Sequence, residues 1–291
     1  MGKIIRAIAE DGSVMVCAID STDIINKAEQ IHQTSAVITA ALGRLLTAAS
    51  MMGAMLKGEQ DSLTLRMAGD GPAGSVIAVS DSKGNVRGYV GNSVVEIPLN
   101  NKEKLDVAGA VGSNGTLYVI KDIGLREPYV GQVPIISGEI AEDITNYFAV
   151  SEQTPTVCAL GVLVNPDLTI KSAGGFIAQL LPGADDESIT KLENNINKID
   201  AVTKMIADGK TPEEISTIVL DGFHPQILDT MEVDYICRCS KDKYKKALAA
   251  IGREELTDII EKDKQAEVVC HFCNKRYQFN KHELQNILNG E

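Results

Sequence analysis

Tryptophan is absent from the chain, and other aromatic side chains are scarce, at five Phe and seven Tyr. The core must therefore be built from Ala, Ile, Leu, Val and Met. A basic excess is missing too, since the formal net charge is -12 at pH 7. Nucleic acid and anionic membranes both need a positive footprint, so neither is expected as a partner. The opening MGKIIRAIAEDG lacks a long apolar run, being broken by Arg6 and Glu10, and no signal peptide is expected. Residues 35–56, SAVITAALGRLLTAASMMGAML, are long enough to cross a bilayer. Arg44 sits near the middle, where a charge costs roughly 2.5 to 3.5 kcal/mol, so a buried core helix is expected instead. Phosphate loops are lacking as well: there is no Gly-x-x-x-x-Gly-Lys-Ser/Thr, and no Gly-x-Gly-x-x-Gly opens a helix after a strand. No ATP site is expected.

What the chain does have is a cysteine quartet near its C-terminus. Cys237 and Cys239 stand in YICRCS, and Cys270 and Cys273 in VVCHFCNK. Four thiolates at tetrahedral range make a closed structural zinc site, because each sulfur is soft and anionic and no position remains for water. Six cysteines with four so spaced do not form a secreted disulfide framework, and the reducing cytosol is the natural compartment. Ordinary zinc ribbons repeat Cys-x-x-Cys, whereas the first pair here is Cys-x-Cys. Either pair could also close on itself as a disulfide, and so short a loop gains little as a staple. Such a bond fits switch chemistry better, since thiolates are the oxidisable form of cysteine. A purely structural zinc module remains the alternative. Arg238, Lys241, Lys243, Lys245, Lys246, Lys275 and Arg276 surround the sulfurs in sequence, which should favour thiolate over thiol. His271 could replace a cysteine, but four sulfurs complete the site without it. Cys17 and Cys158 lie in apolar strand-like runs and read as small buried hydrophobes.

Along the chain, residues 3–19 read as two strands around Asp11-Gly12, with Thr22 and Asp23 offering caps to a following helix. Residues 35–56 continue as the long helix, with Met51, Met52 and Met55 assigned to the core. From 62 to 137, short apolar runs punctuated by glycine predict strands, and GEIAEDITNYFAV (138–150) predicts a helix. A hairpin turning at Asn165-Pro166-Asp167 closes an α+β core domain over 1–182. Residues 183–232 carry 11 acidic against 4 basic side chains and read as a helical linker region. Ile189, Leu192, Ile196, Ile199, Val202 and Met205 form a narrow stripe weakened by Asn194, Asn195 and Asn197, so this helix should depend on docking. Thr211-Pro212-Glu213-Glu214 is a capping box opening a second helix. Residues 233–291 complete a small α+β zinc module. It consists of a helix through YKKALAAIGREELTDIIEKD, a hairpin whose turn holds Cys270 and Cys273, and a last helix capped by Asn280 and Glu283.

Cys-x-Cys followed by Cys-x-x-Cys, together with GTLYVIKDIGLREPYVGQVPIISGEIAEDITNYFAVSEQTP and AGGFIAQLLPG, resembles the redox-regulated chaperones of the heat-shock protein 33 (33 kDa chaperonin) family over essentially the whole chain. That resemblance implies an ATP-independent holdase, not an enzyme, that binds unfolding client proteins in the cytoplasm. When reduced it would be inactive and bind one zinc through Cys237, Cys239, Cys270 and Cys273. Oxidation would pair Cys237 with Cys239 and Cys270 with Cys273, release zinc, unfold the C-terminal region and give an active homodimer. Two other classes compete: a constitutive zinc-ribbon module binding protein or nucleic acid, and a thiol-disulfide oxidoreductase using Cys270 and Cys273. The latter motif works at the start of a helix, whereas a strand is expected here.

Overall fold

The long apolar segment sets the plan of the molecule. A computed structural model describes residues 1–290, and residues 36–54 form one helix in which only Ala36 and Arg44 escape full burial. Such a helix, apolar all round, belongs inside a protein. Among the described residues it is the one helix apolar and long enough to cross a membrane, and 89% of its apolar window is buried inside the protein.

The chain forms two bodies, residues 1–236 and those from Cys237 onward. In the first, the elements run β1 (Gly2–Ile8), β2 (Val14–Asp20), α1 (Thr22–His32), α2 (Ala36–Ala54), β3 (Ser62–Gly69), β4 (Ser75–Asp81), β5 (Val86–Val90) and α3 (Val107–Val111). There follow β6 (Gly115–Asp122), β7 (Tyr129–Pro134), α4 (Ala141–Tyr147), β8 (Thr156–Val164), β9 (Ile170–Leu180), α5 (Asp186–Ile196), α6 (Val202–Ala207), α7 (Pro212–Val219) and β10 (Gln226–Val233). Two antiparallel five-stranded sheets result, in the orders β10-β1-β2-β9-β8 and β5-β4-β3-β6-β7. Helix α2 packs on both sheets, meeting Leu63, Leu65 and Ala78 of one and Cys17, Ile19 and Ile177 of the other. The three methionines join this core, Met51 and Met52 buried and Met55 partly so.

Strand β2 explains its own unbroken apolar sequence. Cys17 and Ile19 face α2, while Val14, Val16 and Ala18 face the opposite side, where α5, α6 and α7 bury Leu192, Val202, Met205, Ile215 and Val219. The narrow stripe of the acidic helices does depend on docking, and the surface that buries it is the first sheet. The expected continuous stripe over 189–205 is broken at 197–201. Asn195 in this stretch turns its side-chain amide to the carbonyls of Val219 (3.1 Å) and Asp221 (2.9 Å), serving the end of α7. The capping box at Thr211 forms as expected, with Pro212 first in the helix.

Three local expectations are corrected. Thr22 and Asp23 lie inside α1, and its first amide, that of Thr22, is taken by Asp20 Oδ1 at 3.0 Å. Residues 226–233 are a strand, because they find β1 more than two hundred residues away, a pairing no local pattern encodes. The helix from 138 starts later, at Ala141, since residues 136–140 form a loop wrapped around the buried carboxylate of Asp143. Asp143 Oδ1 accepts from the amides of Ile136 (2.8 Å) and Ser137 (3.1 Å), and Oδ2 from Gly138 (3.1 Å) and Ile140 (3.0 Å). Ile140 sits at φ 73°, a conformation that a β-branched residue adopts only under constraint.

Close approach governs two positions of α2, Gly43 against side chains of Ile25 and Val162 and Gly53 against strand backbone. A Cβ on Gly53 would meet the Ser80 hydroxyl and come within 2.6 Å of the Asp81 carbonyl oxygen. Gly53→Ala is therefore expected to cost about 2 kcal/mol in urea unfolding by forcing helix and strand apart. An unchanged midpoint would mean that α2 backs away freely.

The first body ends in a stitched segment. Asp234 O accepts from Val86 N at 3.0 Å, Ile236 N donates to Val86 O at 2.8 Å, and the buried Tyr235 hydroxyl donates to Gly88 O at 2.8 Å. These bonds tie the chain after β10 to β5, in the other sheet.

Candidate metal centre

The second body is built from α8 (Lys241–Ala250), α9 (Arg253–Lys262), β11 (Gln265–Val269), β12 (Arg276–Asn280) and α10 (Lys281–Asn289). The single helix expected through residues 244–263 is two, because Gly252 at φ 105° turns the chain between them. Asn280 and Glu283 cap α10 reciprocally, as the sequence predicts. Leu248, Leu256, Ile260, Tyr277, Phe279, Leu284 and Ile287 make a small core, and Lys241 pairs with Glu283 at 2.5 Å, clasping α8 to α10.

Above this core sit the four sulfurs. Cys237 and Cys239 lie on the segment entering α8, whose first turn is capped by Ser240. Cys270 and Cys273 lie in the tight turn joining β11 to β12, where Cys270 N donates to Lys275 O (2.9 Å) and Asn274 N to Cys270 O (2.8 Å). All four Sγ atoms lie within 4.8 Å of one another. Cys237 and Cys270 are 3.6 Å apart, Cys239 and Cys273 3.4 Å. Tetrahedral zinc with bonds of about 2.3 Å would place its sulfurs about 3.8 Å apart, so the cluster has the size and donor chemistry for that ion. All six cysteines of the chain are free thiols. His271 is exposed and not part of the cluster.

Two tyrosines, which the spacing of cysteines gives no means of finding, touch the sulfurs. The Tyr277 oxygen lies 3.1 Å from Cys239 Sγ, and Tyr244 hydrogen-bonds Cys270. Their rings meet at 5.1 Å between centroids.

Electrostatics differ from the expectation that neighbouring cations favour thiolate. Burial pushes the Cys270 thiol up, but the Tyr244 hydroxyl and the amides of Phe272 and Cys273 outweigh it and bring the group down to about 7. Burial raises Cys237 and Cys273. Three of the seven basic side chains are paired away from the sulfurs, Lys241 with Glu283, Lys243 with the Arg238 carbonyl (2.8 Å) and Arg276 with Glu267 (2.7 Å), while Lys275 lies over the Tyr277 ring (5.4 Å). Short-range hydrogen bonds thus favour thiolate at Cys270 alone, while burial works against it at Cys237 and Cys273.

Cys17 and Cys158 lie in the first body, in β2 and β8, and take no part in the quartet. Cys17 is buried in the core as expected, whereas Cys158 is only partly buried at its edge; burial holds the Cys17 thiol up at about 12 and raises Cys158 also. The turn carrying Cys270 and Cys273 is followed by β12 and not by a helix, unlike the oxidoreductase arrangement.

Comparison with known proteins identifies the family of the chain. The family described as Hsp33 protein matches residues 2–280. A 33 kDa chaperonin of Clostridioides difficile (strain 630) is 53% identical over 285 residues, covering 98% of each chain. A 33 kDa chaperonin of Bacillus subtilis (strain 168) is 50% identical over 287 residues, covering 99% of this chain and 98% of the relative. Among solved structures, the crystal structure of the 33 kDa chaperonin (heat shock protein 33 homolog) of Thermotoga maritima superposes with a TM-score of 0.91 at 38% identity, covering 99% of this chain and 98% of that one. With a family match spanning nearly its full length, and relatives about half identical from end to end, the chain belongs to the Hsp33 family of chaperones.

Proposed function

We propose that this chaperone is a redox-regulated, ATP-independent holdase whose reduced form is the resting state. The convergence of four sulfurs from two distant segments onto one tetrahedron-sized cluster carries the reading. In it, Cys237, Cys239, Cys270 and Cys273 hold one zinc per chain. When bound, the ion supplies a cross-link between the segment entering α8 and the β11–β12 turn. A metal so held can contribute ~10 kcal/mol or more to the folding of a small domain.

Activation is a four-electron oxidation. In each pair, two thiolates give two electrons to one hydrogen peroxide, one S–S bond forms, the O–O bond breaks, and the two hydroxides released take two protons from solvent to become two waters. The proposed pairs are Cys237 with Cys239 and Cys270 with Cys273. Every sulfur lies within 4.8 Å of the rest, so the pairing rests on the family resemblance rather than on position. Disulfides within each pair no longer connect the two segments, and the body from Cys237 onward would open. Its seven buried apolar side chains then become surface on which an unfolding client can bind. The proposal extends to a dimeric active form, a cytoplasmic location and no catalytic turnover. In this reading residues 1–182 are the core domain, 183–232 a linker whose helices are followed by strand β10, and 233–291 the redox-switch domain, of which the part that opens starts at Cys237.

The test is to treat reduced, zinc-loaded protein with hydrogen peroxide, following zinc with a chromogenic chelator and the light scattering of a heat-unfolding client. One zinc released per chain, with suppression of scattering appearing only after oxidation, is expected. Full suppression by the reduced, metal-loaded form would point instead to a constitutive binding module.

A further inference from the structure

The tyrosines at the sulfur cluster are crossed. Tyr277 stands on β12, just after the second cysteine pair, yet its hydroxyl reaches Cys239 of the first. Tyr244 stands on α8, just after the first pair, yet its hydroxyl reaches Cys270 of the second. Where they cross, the rings lie against one another at 5.1 Å, tilted by 42°. Each tyrosine thus bonds a sulfur of the opposite segment, and the ring contact locks the two together.

We infer that Tyr244 and Tyr277 are positioning residues of the metal centre, holding the Cys237–Cys239 segment and the β11–β12 turn in register and donating hydrogen bonds to one thiolate of each pair. This rests on the zinc reading proposed above. The Tyr277 side chain is only 7% exposed, and a tyrosine buried to that degree needs a partner for its hydroxyl. That partner is a sulfur. A hydrogen bond to an anionic acceptor is roughly twice as strong as one between neutral groups, so the contact strengthens when Cys239 is ionised for metal binding. Groups that orient metal ligands in this way typically change metal affinity by about 10- to 100-fold when removed.

A structural role alone is served by the rings, which Phe retains. The inference concerns the hydroxyls, and the test isolates them. Tyr277→Phe, Tyr244→Phe and the double variant of the full-length chain are titrated with Zn2+ against a competing chelator, and with Co2+ to read the sulfur-to-cobalt charge-transfer band. Each single variant is expected to bind zinc about tenfold more weakly. Its charge-transfer band should move to longer wavelength, because a sulfur relieved of a hydrogen bond gives up electron density more easily. Zinc release under peroxide should also be faster than in the parent. If Tyr277→Phe destabilises its own body, Tyr244→Phe, whose side chain is half-buried, provides the same reading. Parental affinity with an unmoved band in both single variants would overturn the inference and leave the zinc site standing. A parent chain that bound neither metal would remove the zinc reading and the inference with it.

Discussion

Cys239→Ser is expected to strip most of the zinc from the protein and to unfold the body from Cys237 onward without any oxidant. Serine offers a hydroxyl that stays protonated near neutral pH and is a harder donor than thiolate, so the tetrahedral set falls to three strong ligands. The effect should be large because so little else holds this part together. Seven buried apolar residues form its core, and a single core in a body this short rarely supplies more than about 3–5 kcal/mol. With ~10 kcal/mol or more of folding free energy resting on the ion, even partial loss of affinity exceeds what that core can supply. Zinc per chain by elemental analysis and hydrogen exchange across 237–290 provide the check. Near-zero zinc and lost protection there, with protection kept over 1–236, is the expected result. A variant that stayed folded with a full complement of zinc would refute the four-ligand assignment.

The second large effect lies in the first body. Asp143→Asn is expected to destabilise residues 1–236 by about 3 kcal/mol. Its carboxylate is fully buried and accepts four amides, two on each oxygen. An Asn side chain keeps one oxygen and turns an NH2 group toward two N–H donors, leaving buried donors unpaired at about 1–3 kcal/mol each before relaxation. Those same bonds hold Ile140 at positive φ, a conformation that costs about 1–3 kcal/mol when nothing enforces it. Beside it, Glu139 is ion-paired with Arg44, the one charge of α2. The loop and the start of α4 are thus held by the Asp143 carboxylate, and the loop is tied to the central helix by that of Glu139. Urea unfolding monitored in this body should show the loss. A change below about 1 kcal/mol would mean that the loop is held by its packing instead.

Much of this architecture is legible in the residues themselves, for reasons the structure makes plain. Regular local chemistry could be read directly: the capping boxes at Thr211 and Asn280, the turn between β8 and β9, and a 19-residue helix too apolar to lie anywhere but inside. The quartet could be read because metal ligands must be of few types at close spacing. What stayed hidden was set by distant partners. Strand β10 takes its form from β1, the loop before α4 from a carboxylate that follows it, and the tyrosine contacts from two segments brought together only by folding. Basic side chains beside the cysteines in sequence suggested an electrostatic effect, but Lys241, Arg276 and Lys243 pair instead with Glu283, Glu267 and a backbone carbonyl.

The stitched segment at residues 234–236 gives the proposed switch a fixed post. Tyr235 is held at Gly88 and Ile236 at Val86, so melting that starts at Cys237 meets backbone already pinned to both sheets. If the switch opens as proposed, everything beyond would become a line of residues tethered at Ile236. As a flexible coil, such a line would have a root-mean-square reach of about 40 Å. A client caught anywhere along it stays within that radius of its captor, and restoring the zinc clasp would reel the line back to the same post.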